Sequence, residues 1–251
     1  MSAVSKLSLR RHPIRLVLSR GPWAAAWYLL GYLAVGSALF AIALSSAVAG
    51  AGLSITLAGL PVLVTAAAAI RWCADVERAR LRPMVARPVA GAYRQVVGSG
   101  VMAQLRTRWR NPATWRDVAY VVGLFVPLLA LDTIVLAVWW WSLAGITLPI
   151  WYWAPWKSVH GVRYHGYDLG YHPNGPHGPG GWGLYVDTLP KALAVAGVCL
   201  ILFLLFNYVV VLTARAHIAV ARGLLGAAED PLRQAKEVLG RPGPLSSNLR
   251  A

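Results

Sequence analysis

Acidic residues are scarce in this chain, with nine Asp and Glu against 24 Lys and Arg over 251 residues. Charge of either sign is thin as well, at 13%, where a soluble domain carries roughly 25%. That shortage argues against an ordinary water-facing domain. No apolar run holds the paired carboxylates that acid–base catalysis would use, and neither H-E-x-x-H nor G-x-S-x-G occurs. No nucleotide-binding motif is present either. The two cysteines, Cys73 and Cys199, fall at different depths of their helices and form no C-x-x-C. This excludes a disulfide scaffold and gives no support to thiol chemistry.

What the chain does have is apolar length. It is 57% hydrophobic, and four runs approach or exceed the roughly 20 residues that cross a bilayer. They lie at about 24–48, 53–70, 118–143 and 192–214, each with at most one formal charge. The first follows a 22-residue basic arm and has no clear A-x-A exit, so it is expected to stay as an anchor rather than be cleaved. The expected fold is an all-α integral membrane protein, with four transmembrane helices as two hairpins. An arm (1–22), a membrane domain (23–217) and a cytoplasmic tail (218–251) divide the chain.

The net charge of +15 could suggest nucleic acid, but its placement argues otherwise. Five basic residues precede the first run, ten lie between the second and third, and six follow the fourth. The stretch between runs three and four has only Lys157, Arg163 and Lys191. This is the positive-inside pattern. It predicts a multi-pass protein of the cell membrane, with both termini and residues 71–117 in the cytoplasm. Residues 145–190 then form an outer loop, expected to be irregular because Pro173, Pro176, Pro179 and many glycines interrupt it. The arm, with Arg interleaved among apolar residues, is expected to lie on the anionic inner leaflet.

Local punctuation supports these helices. Asn111 suits an N-cap, with Pro112 at the first helical position, and Asp187-Thr188 with Pro190 opens the fourth span. Trp/Tyr groups at the helix ends read as an interfacial belt, heaviest at WWW (139–141) and WYWAPW (151–156). Spans two and four leave through similar Ala/Arg-rich ends, IRWCADVERARLRPMV and LTARAHIAVARGLLG, which set Glu77 and His217 in comparable places. A weak duplication and convergent helix ends explain this equally well. Small residues in the first two spans allow close helix packing, within the chain or in a homodimer.

Two constellations are candidates for chemistry. His160, His165, His172 and His177 crowd into the outer loop, with Asp168 nearby. Their spacings of five, seven and five residues match no established zinc motif. The first reading is a solvated polar loop; metal binding through His165 and His172, or a pH-responsive cluster, are the alternatives. No cofactor is expected. Asp132 stands inside the third span, roughly 20 Å along the helix from Val118. An intramembrane carboxylate faces a bundle interior or a water-filled cavity. Ser37, Thr56 and Thr133 are its candidate partners, and no Lys or Arg lies within a span. A structural role and an ion or ligand contact both remain open for it.

Several strings in order, GLPVL (59–63), ERARLRPMV (77–85), NPATWRDVAYVVGLFVP (111–127), PIWYW (149–153), DTLPKAL (187–193) and AHIAVARGLLG (216–226), carry a resemblance. Together they resemble the "putative sensor" domain that heads many actinobacterial two-component histidine kinases. That resemblance implies four spans and a sensing role, with Glu77, Arg78 and His217 at the signal-transmitting helix ends. It implies no catalytic residues, and the tail after Gly226 has no histidine to accept phosphate. Asn111 stands where Asp would be expected in the family. The function expected is a non-catalytic membrane sensor serving a separate histidine kinase, response regulator or permease. A small transporter or transporter subunit using Asp132 is the alternative, and a metal-dependent membrane enzyme comes behind both.

Overall fold

The computed structural model describes residues 13–53, 59–85, 88–91, 93, 100–176 and 178–226. The arm up to residue 12, the tail beyond 226, Thr56 and His177 lie outside the described residues. The elements are α1 (Pro13–Val17), α2 (Arg20–Leu53), α3 (Gly59–Leu81), α4 (Val101–Trp109), α5 (Pro112–Val118), α6 (Phe125–Ile146), α7 (Leu148–Trp151) and α8 (Leu189–Leu225). Four short strands precede α8: β1 (Trp156–Val159), β2 (Val162–His165), β3 (Tyr167–Tyr171) and β4 (Trp182–Val186).

Three of these helices, α2, α6 and α8, are long and apolar enough to cross a membrane. This is a membrane protein. The second of the four expected runs does not qualify among the described residues. From Gly59 to Ile70 α3 offers 12 apolar or small residues before Arg71, about 18 Å of helix against a hydrocarbon core of about 30 Å.

The caps explain where helices begin. The Asn111 side chain accepts the Ala113 N–H at 3.0 Å, with Pro112 at the first position of α5. A π-helical turn (Ala119–Gly123) then joins α5 to α6. Its cause is in the sequence: Pro127 has no N–H to give the Gly123 carbonyl, so the ladder must adjust there. α8 opens behind Asp187-Thr188, with the Ala192 N–H donating to the Thr188 carbonyl at 3.0 Å.

The segment between α7 and α8 is not irregular, contrary to the expectation from its Pro and Gly content. β1 and β2 form an antiparallel hairpin with Val159 opposite Val162. Its two-residue turn is His160-Gly161, with φ of 50° and 83°, the left-handed pair that such turns require. β3 and β4 form a second hairpin, where Gly170 faces Gly183. A Cβ on Gly183 would stand 2.4 Å from the Leu169 carbonyl oxygen, so the strands approach closely because these positions are glycine. Leu148, Val186 and Ala192 bury the hairpin base against the ends of α7 and α8, beside Trp151 and Tyr167.

The chain folds as two compact units. The first comprises Met1–Ala41, Pro83–Ala86 and Leu124–Ile218. Its core centres on Trp139, fully buried, which meets Trp23 at 5.1 Å and Phe203 at 5.7 Å and donates from Nε1 to Asn207 Oδ1 at 3.3 Å. Phe125, fourteen residues earlier on α6, stacks on Phe40 at 4.1 Å. Since Trp23 meets Trp139 and Phe40 meets Phe125, α2 runs antiparallel to α6. The second unit comprises Ile42–Arg82, Arg87–Gly123 and Ala219–Ala251. There α3 carries α4 and α5 along its length: Trp109 Nε1 donates to the Leu63 carbonyl and Arg71 to the Thr114 hydroxyl.

Candidate functional site

Within the second unit, the exit of α3 builds a buried polar junction around Arg78. Arg78 shares the inward face of α3 with buried Ala74 and Leu81, while Arg82, just past the end of the helix, stays on the surface. Its guanidinium donates from Nη2 to Asp117 Oδ1 at 2.8 Å and from Nη1 to Asp75 Oδ1 and the Tyr93 hydroxyl, both at 2.7 Å. Nε donates to the Leu225 carbonyl at 3.0 Å. Tyr93 in turn donates to Asp117 Oδ2 at 2.6 Å. One guanidinium therefore holds the end of α3, the body of α5, the linker at Tyr93 and the last turn of α8. It uses the planar fork that a lysine lacks. Alongside it, Arg116 donates to the Gly223 carbonyl.

The electrostatics follow from burial. Loss of water pushes the Asp117 carboxyl above the usual carboxylate range, while the Tyr93 hydrogen bond and the Arg78 charge pull the other way. Burial also works against the Arg78 charge, but Asp117 and Tyr93 outweigh it and leave its pKa above the ordinary value. The Tyr93 phenol is pushed well up, chiefly by burial, so it remains a donor. Glu77, next in sequence, is buried and takes two hydrogen bonds from Arg80 Nη1, at 2.7 and 2.9 Å, with the Tyr120 hydroxyl at 3.5 Å. Both α3 residues named from the sequence, Glu77 and Arg78, are thus buried polar anchors.

In the first unit Asp132 is fully buried and lies against His217, with Oδ2 3.2 Å from Nδ1. The sequence pointed to Ser37, Thr56 and Thr133 as its partners; the structure sets the His217 imidazole against it instead. Ser37 and Thr133 are occupied on their own helices, donating to the Leu33 and Leu129 carbonyls. The His217 ring is further walled by Tyr32, with centroids 4.4 Å apart, and by Tyr28 at 5.5 Å, both edge-on. Helices α2, α6 and α8 therefore meet at one imidazole–carboxylate pair.

Among the described residues, the hairpin histidines do not assemble. His172 Nδ1 meets Asp168 Oδ1 at 2.6 Å, and Lys157 Nζ reaches Asp168 Oδ2 at 3.4 Å and the His172 carbonyl at 3.0 Å. This pins the foot of the β3–β4 loop. His165 Nδ1 lies 3.3 Å from the Trp153 carbonyl, and His160 serves the β1–β2 turn. Among the described residues no three His, Cys, Asp or Glu side chains come together as metal ligands. The polar arrangement is a set of loop pins. Below the hairpins an apolar cavity of about 330 Å³ opens among Trp141, Ser142, Trp151, Tyr167, Leu169 and Cys199.

Sequence reasoning missed Tyr93, Asp75 and Asp117 as partners of Arg78, and Tyr28 and Tyr32 around His217. The Asp117 signal was available, since an acid six residues into a short helix is spent on more than its dipole. Tyr93, alone in a Pro/Gly-rich linker, left none. A family model described as "Putative sensor" matches residues 28–225, and the chain belongs to that family. No curated protein and no solved structure matches the chain.

Proposed function

We propose that this member of the sensor family is a non-catalytic membrane sensing module. It registers a signal at its hairpins or within the bilayer and passes it through the ends of α3 and α8 to a separate protein. The observation that carries this reading is the span of α8. That helix follows β4 with two residues between and runs unbroken for 37 residues, about 55 Å, until its last carbonyl is gripped by Arg78. A shift or rotation at its hairpin end reaches a junction of buried hydrogen bonds, where a displaced carbonyl leaves a buried donor unmet. The partner class is a histidine kinase, a response regulator or a permease. The distribution of Arg and Lys favours residues 71–117 and the tail on the cytoplasmic side of the cell membrane, with the hairpins outside.

The number of crossings has two readings, each with its own support. Five basic residues ahead of the first run favour a cytoplasmic N-terminus and four crossings, the second being the apolar run read from the sequence at 53–70. The antiparallel run of α2 against α6 favours three crossings, with the arm on the hairpin side.

A kinase catalytic core fused behind Gly226 tests the function. Sensing requires that autophosphorylation change with Asp132→Asn or with hairpin substitutions, and that Arg78→Ala abolish this response. Phosphorylation indifferent to every one of these changes would remove the reading. A second function, ion- or proton-coupled transport, is favoured by the Asp132–His217 pair, because ionisable pairs inside membranes mark such pathways. Flux in proteoliposomes that vanishes in Asp132→Asn would support it over sensing.

A further inference from the structure

The second unit holds a larger apolar groove, of about 710 Å³, that the signalling junction does not use. Its floor is the fully buried Ile70, and Ala47 and Ala51 of α2 leave the space open because they are small. Trp109 forms a wall, fixed by its bond to the Leu63 carbonyl. At the rim stand Arg106 and Arg110, four residues apart and so on one face of the chain at α4. Arg108, between them, is turned away and donates to the Val64 carbonyl. The lining contains no acidic residue, and between Glu77 and Asp117 the sequence has no Asp or Glu at all while holding nine arginines.

We infer that this groove is a binding site for one anionic phospholipid of the bilayer. An acyl chain fills the space over Ile70, and the phosphate is held between Arg106 and Arg110. The volume falls within the range of small-molecule sites. An apolar body with two arginines at its edge matches an amphiphile with a negative head, since arginine binds phosphate through paired N–H donors. A zwitterionic lipid would fit the groove equally but would gain little from the two charges. Arg106 and Arg110, which would hold the phosphate, lie in the segment that the charge distribution assigns to the cytoplasmic side, where anionic lipid is concentrated.

The test is native mass spectrometry of the full chain, purified in mild detergent with equimolar phosphatidylglycerol and phosphatidylcholine of the same acyl composition. One phosphatidylglycerol retained in preference to phosphatidylcholine is expected. Each basic residue near a membrane surface contributes enough to change binding about fivefold, so Arg106→Gln/Arg110→Gln should cut the preference by up to about thirtyfold. Arg163→Gln, on the hairpins, should leave it intact. Ala51→Phe fills the groove and should lower retention of both lipids. Equal retention of the two lipids by the parent chain would overturn the inference. So would a preference that survives the double arginine substitution, or retention unchanged in Ala51→Phe.

Discussion

Replacing Arg78 by Ala should be among the most damaging single changes in this protein, and its size can be worked from the junction. Arg78 is 5% exposed and Asp117 1%. The substitution removes the donors to Asp117, Asp75, Tyr93 and the Leu225 carbonyl together. The Asp75 pair contributes little, because that carboxylate is 62% exposed and surface pairs are worth about 0–1 kcal/mol. The main loss is the buried carboxylate left without its cation, for which breaking a buried pair costs about 3–5 kcal/mol. In a chain of this size that corresponds to a fall in melting temperature of about 6–20 °C. Thermal unfolding in detergent, followed by circular dichroism, reads it. The double substitution Arg78→Met/Asp117→Leu should recover most of the loss, since replacing both partners by apolar groups is often neutral. A single-variant loss below about 1 kcal/mol, the worth of an exposed pair, would refute the reasoning.

The same variant carries a pH signature. Burial already pushes the Asp117 carboxyl up, and Arg78 is one of the groups pulling it down. Without Arg78 the folded-state pKa rises further above the unfolded value. A carboxyl shifted in that direction favours folding when protonated, so stability is lost as pH rises from the unfolded pKa through the folded one. The gap between Arg78→Ala and the parent should therefore narrow in acid and widen toward neutral pH. Adding Asp117→Asn should abolish that dependence.

Asp132→Asn should melt within about 1 kcal/mol of the parent, because an amide still meets the His217 ring; Asp132→Leu should cost about 1–3 kcal/mol by leaving the imidazole against an apolar chain. Gly183→Ala should open the β3–β4 hairpin, with φ at 105° and a new Cβ 2.4 Å from the Leu169 carbonyl. Hydrogen exchange over residues 167–186 would rise, whereas Gly197→Ala on α8, with open space around it and no positive φ, should leave it unchanged. In a background lacking Cys73 and Cys199, Ser158→Cys should label with an impermeant thiol reagent in intact cells and Ser247→Cys should not; the reverse would invert the topology. Ser5→Cys labels only if the arm lies on the hairpin side.

Local chemistry was readable from the sequence; pairing across long separations was not. The cap at Asn111 depends on a neighbour two residues away, and the structure has it in place. The Trp run 139–141 read as an interfacial belt, and Trp140 and Trp141 are indeed exposed, yet Trp139 is fully buried at the centre of a core. Three identical residues divide this way because helical phase, which composition does not carry, turns one of them inward. The partners of Asp132 and Arg78 lie 85 and 39 residues away in the chain, beyond any spacing rule. The hairpins escaped notice because the glycines that permit their close strands also look like loop punctuation. His160-Gly161 between β-branched valines was the missed signal.

The direction of α2 is where charge and packing pull apart, and the physical terms can be compared. If the N-terminus enters from the cytoplasm alongside α6, Trp23 starts at the opposite end of the bundle from Trp139, and their edge-on contact at 5.1 Å is lost. So is the stack of Phe40 on Phe125, each such aromatic pair being worth about 0.5–1.5 kcal/mol beyond its buried area. Against this stands the cost of moving five basic residues away from the anionic leaflet, about 1 kcal/mol each near the surface. The charge sum, about 5 kcal/mol, exceeds the about 1–3 kcal/mol of the two aromatic pairs, but only the packing term is tied to Tyr28, Tyr32 and the Asp132–His217 pair. Reversing α2 would take both tyrosines from the imidazole. The integrity of the buried pair and the position of the N-terminal arm are therefore one question.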